Sequence, residues 1–162
     1  MSRTFLVTFG VGIVVVAIAV ATIFYSHRGA HLELPGKILK IRIAPLDDKS
    51  SAVVIDFRVT NPSDIPFMVR SVAVILEDQS GNQTEGLTSS EADAKRMMEG
   101  IPLLGQQYNP CLIVRDKVAP HSSLDRMVAS RFEVSEAGLQ TRKRFLVRIE
   151  EVDGAIVEYP EK

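Results

Sequence analysis

The chain has few of the residues that form disulfides or act in catalysis. It contains one cysteine, no tryptophan and three histidines in 162 residues. A single cysteine, Cys111, cannot form an intramolecular disulfide, so a disulfide-stapled domain is excluded. Cys111 begins an apolar run, where a lone thiol usually packs as a small hydrophobic side chain.

A basic cluster is missing as well. From residue 33 onward the sequence has 17 basic and 20 acidic residues, mixed along the chain, which leaves a net charge of −3. Nucleic-acid surfaces need clustered positive charge that displaces counterions. We therefore expect no nucleic-acid partner.

Catalytic motifs do not occur in the sequence. It has no Gly-x-Ser-x-Gly elbow, no glycine-rich phosphate loop and no His-Glu-x-x-His pair. His121, Ser122 and Asp125 supply the residue types of a catalytic triad, but neighbours on one strand point to opposite faces. The sequence therefore predicts that the protein is not an enzyme and has no catalytic or cofactor-binding residues.

Candidate metal ligands are scattered along the chain. The candidates form three groups: His27 and His31; Met97, Met98 and Met127 with His121; and Glu150, Glu151 and Asp153. Paired methionines on a short helix usually pack in a core rather than bind copper. The histidines fit a polar linker and a turn, and the carboxylates fit a solvated hairpin end. We therefore expect no metal site and no cofactor.

The longest hydrophobic run lies near the amino terminus. It has 21 uncharged residues from Phe5 to Tyr25, and at ~1.5 Å per helical residue it could cross a hydrocarbon core of ~30 Å. We expect a short tail over residues 1–4, a transmembrane signal-anchor helix over 5–26 and a linker over 27–36. A cleaved signal peptide is one alternative, although its apolar core is usually only ~7–15 residues long; a buried core helix is the other, although no polar residues define a solvent face.

Charges around this run give conflicting indications of orientation. Arg3 precedes the run, which favours export of the domain, whereas basic residues from Arg28 onward outnumber it on the other side. We expect a single-pass membrane protein whose domain is extracytoplasmic, either periplasmic or extracellular. Its expected partners are the lipid bilayer, through residues 5–26, and another membrane or envelope protein.

Residues 37–162 have the pattern of short strands. Apolar and polar residues alternate over residues 39–43 and 53–60, as in half-buried strands with one wet face. Pro62 and Pro66 predict a turn between strands. Ser90 followed by acidic residues predicts one short crossover helix that ends near Gly100.

The end of the chain predicts a hairpin. A three-residue loop over 152–154 with Gly154 at positive φ would place Ile149 opposite Val157. With at least seven strands and a turn about every ten residues, the fold class is mainly β. We expect an antiparallel immunoglobulin-like β-sandwich with one short crossover helix, preceded by a single transmembrane helix.

One segment resembles known families. Residues 53–81 read VVIDFRVTNPSDIPFMVRSVAVILEDQSG, a strand ending in Asn-Pro, a short turn with a second proline, and another strand. This resembles the immunoglobulin-like sandwich of late-embryogenesis-abundant type 2 (water-stress and hypersensitive-response) proteins, and it is similar to telokin-like membrane-anchored bacterial domains. The resemblance implies a binding or envelope-associated module and no catalytic residues.

Two functions of different classes follow from the sequence. The first is a non-catalytic, membrane-anchored interaction module whose polar strand faces, Lys40 with Arg42 and Asp56 with Arg58, contact solvent or a partner. The second is a carrier of a small ligand or metal, with a site near the helix and the cleft between the sheets. The sequence shows no converging ligand set, so we favour the interaction module.

Overall fold

The computed structural model describes residue 9, residues 12–22 and residues 34–162. The chain divides into two units, Met1–Leu32 and Glu33–Lys162. The described residues of the first unit are helical. Nowhere in the described chain is there a helix both long and apolar enough to cross a membrane.

The prediction of a transmembrane signal-anchor over residues 5–26 is therefore wrong. The helical residues that the structure describes near the amino terminus are residue 9 and residues 12–22, and none belongs to a helix long and apolar enough to span a membrane. The predicted single-pass membrane location and extracytoplasmic placement of the domain both depended on that helix, so neither is supported. The tail over 1–4, the rest of the 5–26 range and most of the 27–36 linker lie outside the described residues.

The second unit is a mainly β, antiparallel, two-sheet fold. Its strands are β1 (Gly36–Pro45), β2 (Ser51–Asn61), β3 (Phe67–Glu77), β4 (Gln83–Glu85), β5 (Leu87–Thr88), β6 (Lys117–Val118), β7 (Ser122–Phe132), β8 (Arg144–Glu151) and β9 (Ile156–Pro160). One sheet has the order β1-β2-β7-β5, and the other has β4-β3-β8-β9 with β6 paired to β3. Large side chains from both sheets meet between them, and Phe132 of β7 lies 5.9 Å from Phe145 of β8 between ring centroids.

Three helices interrupt the strands, where the sequence predicted one. They are α1 (Glu91–Gly100), a 3-10 helix (Pro102–Leu104) and α2 (Glu136–Gln140). The predicted cap is present, since the Ser90 side chain accepts a hydrogen bond from the Asp93 backbone N–H. A second cap, Ser135, accepts from the Gly138 backbone N–H and begins α2, which the sequence analysis missed because only five residues follow.

The prediction of the carboxyl-terminal hairpin is confirmed. Ile149 pairs with Val157 and Val147 with Tyr159. The Glu151 N–H donates to the Ala155 carbonyl at 2.8 Å, so the loop is the expected three residues, and Gly154 has φ +89°. Because only glycine adopts this conformation at little cost, Gly154 fixes the register.

The outer face of the first sheet is half covered, against the expectation of one wet face. Residues 90–111, which we call the cover segment, pack on it. The apolar cluster beneath joins Ala44, Ala52, Val54, Met127 and Ala129 of the sheet to Ala94, Met98, Leu104 and Cys111 of the cover segment. Small alanine side chains let the segment approach the sheet closely. Strand β2 is consequently buried on both faces along most of its length.

Candidate functional site

The three residues with triad chemistry do not converge. The Nε2 of His121 lies 2.8 Å from Oδ1 of Asp64, and Ser122 Oγ donates to the Ala119 carbonyl at 2.7 Å. Asp125 accepts two hydrogen bonds from Arg58, at 2.7 and 2.8 Å. Each polar group therefore has a different partner, and the arrangement lacks the nucleophile-to-base contact that a triad needs.

The sulfur-containing residues are brought together more closely than the sequence suggested. Met98, Met127 and Cys111 share the buried cluster under the cover segment, and Met97 packs at its border. Burial raises the pKa of the Cys111 thiol to about 11, with Glu91 and Asp56 adding to the effect. The thiol is therefore protonated at neutral pH, a state that suits packing rather than metal binding.

The acidic residues at the end of the β8–β9 hairpin, considered above as possible metal ligands, also make other contacts. Glu150 lies 3.1 Å from Arg70 in an ion pair and accepts a hydrogen bond from Ser71, while Glu151 is buried. In the described part of the chain no group of three or more histidine, cysteine or acidic residues could hold a metal ion.

Arg42 and Asp56 hold the cover segment instead of facing solvent or a partner. Their side chains form a buried ion pair with an N–O distance of 2.7 Å. Arg42 also donates to the carbonyls of Leu104 and Gln106, at 2.7 and 2.9 Å, and Asn109 donates to Asp56 at 2.9 Å. The expectation of a solvent or partner surface was wrong for this pair, because residues far along the chain cover it.

An exposed group of loops lies at one end of the second unit. It consists of the β2–β3 loop (residues 62–66), a turn at residues 113–116 and the β8–β9 loop (152–154), and we call it the loop end. Strand β3 starts between them. The Val69 N–H donates to the Asp116 carbonyl at 2.9 Å, and the Val69 carbonyl accepts from Arg115 at 2.8 Å. On the other side, the Val152 N–H donates to the Met68 carbonyl at 3.1 Å.

Asn61 fixes the β2–β3 loop. Its side chain is fully buried, and its amide donates to the carbonyls of Ile65 and Val118, at 2.8 and 3.0 Å. Its Oδ1 accepts from the backbone N–H and the hydroxyl of Ser63, at 3.1 and 2.8 Å. An asparagine side chain offers two donors and one two-lone-pair acceptor, so its hydrogen-bonding capacity is filled. The loop is thereby held in one conformation.

Each loop presents an apolar side chain to solvent. The exposed fractions are 57% for Ile65, 60% for Val114 and 51% for Val152. Each has an exposed charged neighbour in sequence, Asp64, Arg115 or Asp153, so charged groups lie beside the exposed apolar side chains. This composition is typical of protein-binding surfaces.

Backbone strain is concentrated near the same loops. Among the described residues, the non-glycine residues with positive φ are Arg115, at +71°, and His121, at +52°. Arg115 lies in the 113–116 turn, which is closed by a 3.1 Å hydrogen bond from Asp116 N–H to the Ile113 carbonyl. His121 contacts Asp64 of the β2–β3 loop. Such conformations cost about 1–3 kcal/mol each and persist where surrounding contacts impose them, often at functional sites.

The Asn61-Pro62 turn was predicted from the sequence, but the loop end was not. The signal that could have found it is an apolar residue isolated within a turn sequence. Ile65 stands between Asp64 and a proline, and Val152 stands between two acidic residues. A turn rarely needs such a side chain, because so short a loop cannot bury it.

Comparisons with known proteins give little further information. No family model matches the chain, and no curated protein matches it. The archaellum periplasmic stator protein FlaG from Sulfolobus acidocaldarius is similar in structure at 8% identity, with 80% of this chain and 100% of that chain covered and a TM-score of 0.38. The ApaA protein from Bordetella pertussis shows 15% identity, coverage of 81% and 89%, and a TM-score of 0.36. Structural similarities this weak do not confirm the resemblance to late-embryogenesis-abundant type 2 or telokin-like domains.

Proposed function

We propose that residues 34–162 form a non-catalytic, immunoglobulin-like protein-binding module whose binding surface is the loop end. The observation that carries this proposal is the set of three exposed apolar side chains on loops whose backbones are fixed by hydrogen bonds. Fully burying a side chain of this kind contributes about 1.5–3 kcal/mol, and each of the three still has more than half of its surface exposed. Because the loops are already ordered, binding loses little conformational entropy in them.

The strand order supports the proposal. The order β1-β2-β7-β5 opposite β4-β3-β8-β9 corresponds to A-B-E-D opposite C′-C-F-G in immunoglobulin sandwiches. The β2–β3 and β8–β9 loops are then the B–C and F–G loops, which bind ligands in variable domains. This correspondence is an analogy of fold, and the exposed side chains are the stronger argument.

A small-ligand carrier is the second candidate, since a pocket lies beside α1, although its lining residues lie on α1, the 3-10 helix and the residues after it rather than in the cleft between the sheets. Its volume is about 430 Å³, within the ~300–1,000 Å³ of common ligand sites, and its lining includes Met98 and Gly105. A ligand bound there would raise the melting temperature in proportion to the logarithm of its concentration. Screening small molecules by thermal shift, with Glu99→Trp at the exposed pocket wall as the blocked variant, tests this candidate.

Crosslinking tests the loop-end proposal. A photoreactive amino acid at position 114 of the full-length chain should crosslink to a discrete partner in the native cell, and the same residue at position 103 should not. Leu103 is the matched control because it is also exposed and apolar, at 72%, but lies in the 3-10 helix.

Serine substitutions supply the second arm. Changing Ile65, Val114 and Val152 to serine together should abolish the position-specific crosslink, read from a photoreactive residue at Met68, without changing the melting temperature. The control changes Leu87 and Leu103 to serine and should leave the crosslink intact. Equal crosslinking by all variants, or the same products from positions 103 and 114, would contradict the proposal.

A further inference from the structure

Strand β1 has an unpaired edge. It pairs with β2 on one side, and in the described part of the chain no backbone hydrogen bond reaches residues 36–45 from the other side. A groove of about 600 Å³ runs against this edge, between β1 residues 36–43 and a second wall from the end of α2 and the end of β9. The backbone of an extended segment could therefore continue the sheet here.

The floor of the groove is apolar. Ile38, Ile41 and Ile43 lie opposite Phe57, Ile55 and Val53, which are core residues. Directly paired residues share a sheet face, so the three isoleucines point toward the interior. They are nevertheless only half-buried, because the facing strand β9 is five residues long and leaves part of the sandwich edge open.

The rim of the groove is basic. Lys37, Lys40 and Lys162 line it, and none of the three forms an ion pair within the described residues. Lys37 acts on Asp125 at longer range, and Lys40 lies 4.8 Å from the centre of the Tyr108 ring. Arg142, also in the lining, is neutralised by two hydrogen bonds to Glu161, a further lining residue.

We propose that this groove binds an extended, acidic peptide segment of another protein by strand addition to β1. Alternate apolar side chains of the segment would cover the isoleucine floor, and its carboxylates would meet the lysine rim. A second copy of this chain fits poorly, because pairing two β1 edges would set lysines against lysines. The site is separate from the loop end, and the proposal does not depend on that surface.

A protective role accounts for only part of the arrangement. Edge lysines and the bulge between Ile38 and Lys40 both discourage edge-to-edge aggregation. Protection does not require three partly exposed isoleucines below the edge, and leaving part of their surface open adds to the aggregation hazard. An occupant explains the lysines and the isoleucines together.

Peptide binding tests the proposal with defined probes. The ligand is a fluorescent seven-residue peptide with glutamate and valine alternating, and the control replaces each glutamate with lysine. We expect the full-length chain to bind the acidic peptide, to bind it more weakly at high salt because the rim charges are screened, and to show amide shifts by NMR that centre on residues 36–43.

Charge-matched variants distinguish the rim from net charge. Changing Lys37, Lys40 and Lys162 to glutamine should weaken acidic-peptide binding at least tenfold. Changing Lys49, Lys95 and Lys117 to glutamine removes the same charge elsewhere and should leave binding within twofold. The loop-end serine variant should bind the peptide normally, so failure of one proposal is distinguishable from failure of the other.

Three results of the peptide experiments would overturn the inference. They are equal binding of the acidic and lysine peptides, equal losses in the two glutamine variants, and peptide-induced shifts that lie away from β1. A concentration-dependent dimer in sedimentation whose interface shifts map to β1 would also overturn it, because the occupant would then be a second copy.

Discussion

The two halves of the outer face of β2 differ although they lie on one strand. At one half Ala52, Val54 and Asp56 are buried beneath the cover segment, whereas at the other half Arg58 is exposed and pairs with Asp125 across the sheet. The sequence also differs between them, since the outer-face residues Ala52 and Val54 are apolar whereas Arg58 and Thr60 are polar. The difference in exposure arises from the cover segment, which packs on one half only. It makes Arg42–Asp56 a buried ion pair that holds the cover segment, whereas Arg58–Asp125 remains an ion pair at the surface.

The largest expected effect on stability comes from breaking the buried Arg42–Asp56 ion pair. Asp56→Ala leaves the Arg42 guanidinium buried without its carboxylate, and removing one partner of a buried pair costs about 3–5 kcal/mol. Asp125→Ala removes the matching partner of the exposed pair and should cost about 0–1 kcal/mol. Urea unfolding of both variants measures the contrast. Similar losses for the two would mean that the cover segment does not seal the first pair from water.

Alternation in the sequence located the strands but not their neighbours. It placed β1, β2 and the β8–β9 register correctly because side-chain period and turn chemistry are local. Asp56 was assigned to a wet face because its partners, Arg42 and Asn109, come from distant parts of the chain. The loop end was missed for the same reason, since Asn61 reaches Val118 across 57 positions.

The second prediction tests the covered half through its thiol. With a pKa raised to about 11 from an ordinary value of 9.0, Cys111 should carry about a hundredfold less thiolate than a free thiol at the same pH. Its reaction with a disulfide reagent at pH 8 should be slower still, because the cover segment excludes the reagent. At urea concentrations well below the unfolding midpoint, Asp56→Ala should increase the rate at which the reagent modifies Cys111. A rate in the native protein equal to that of a free thiol would show that the cover opens freely.

The third prediction concerns the exposed half of β2, where the backbone is closely packed although the Arg58 side chain is exposed. A Cβ added at Gly36 would lie 2.5 Å from the Arg58 carbonyl oxygen and 2.5 Å from the Tyr159 ring. The backbone oxygen cannot move aside easily, so Gly36→Ala should cost about 1–3 kcal/mol. Gly100→Ala is the control, because its Cβ would meet open space. Thermal unfolding should show a loss for Gly36→Ala alone, and an unchanged midpoint would refute the close approach.

The smallest expected effect lies in two neighbouring carboxylates of β8, which repeat the contrast of covered and bare positions. Glu150 is paired with Arg70 at the surface, whereas Glu151 pairs with the core residue Val69 and is buried. Burial, with Asp153 contributing, raises the pKa of Glu151.

A raised folded-state pKa fixes the sign of the pH dependence. Protonated Glu151 is compatible with burial, so its contribution is fully present below the unfolded-state pKa and is lost as pH rises through the raised folded-state value. Glu151→Gln stays neutral, and its stability relative to the wild type should therefore increase as pH rises above the unfolded-state pKa and level off above the raised folded-state pKa. Glu150→Gln loses its ion pair and should be no more stable than wild type at any of these pH values. Urea midpoints measured from pH 4 to 8 test this pH dependence. If the stability of Glu151→Gln relative to the wild type is constant or falls with rising pH, the carboxylate of Glu151 is not hindered from ionising in the folded protein.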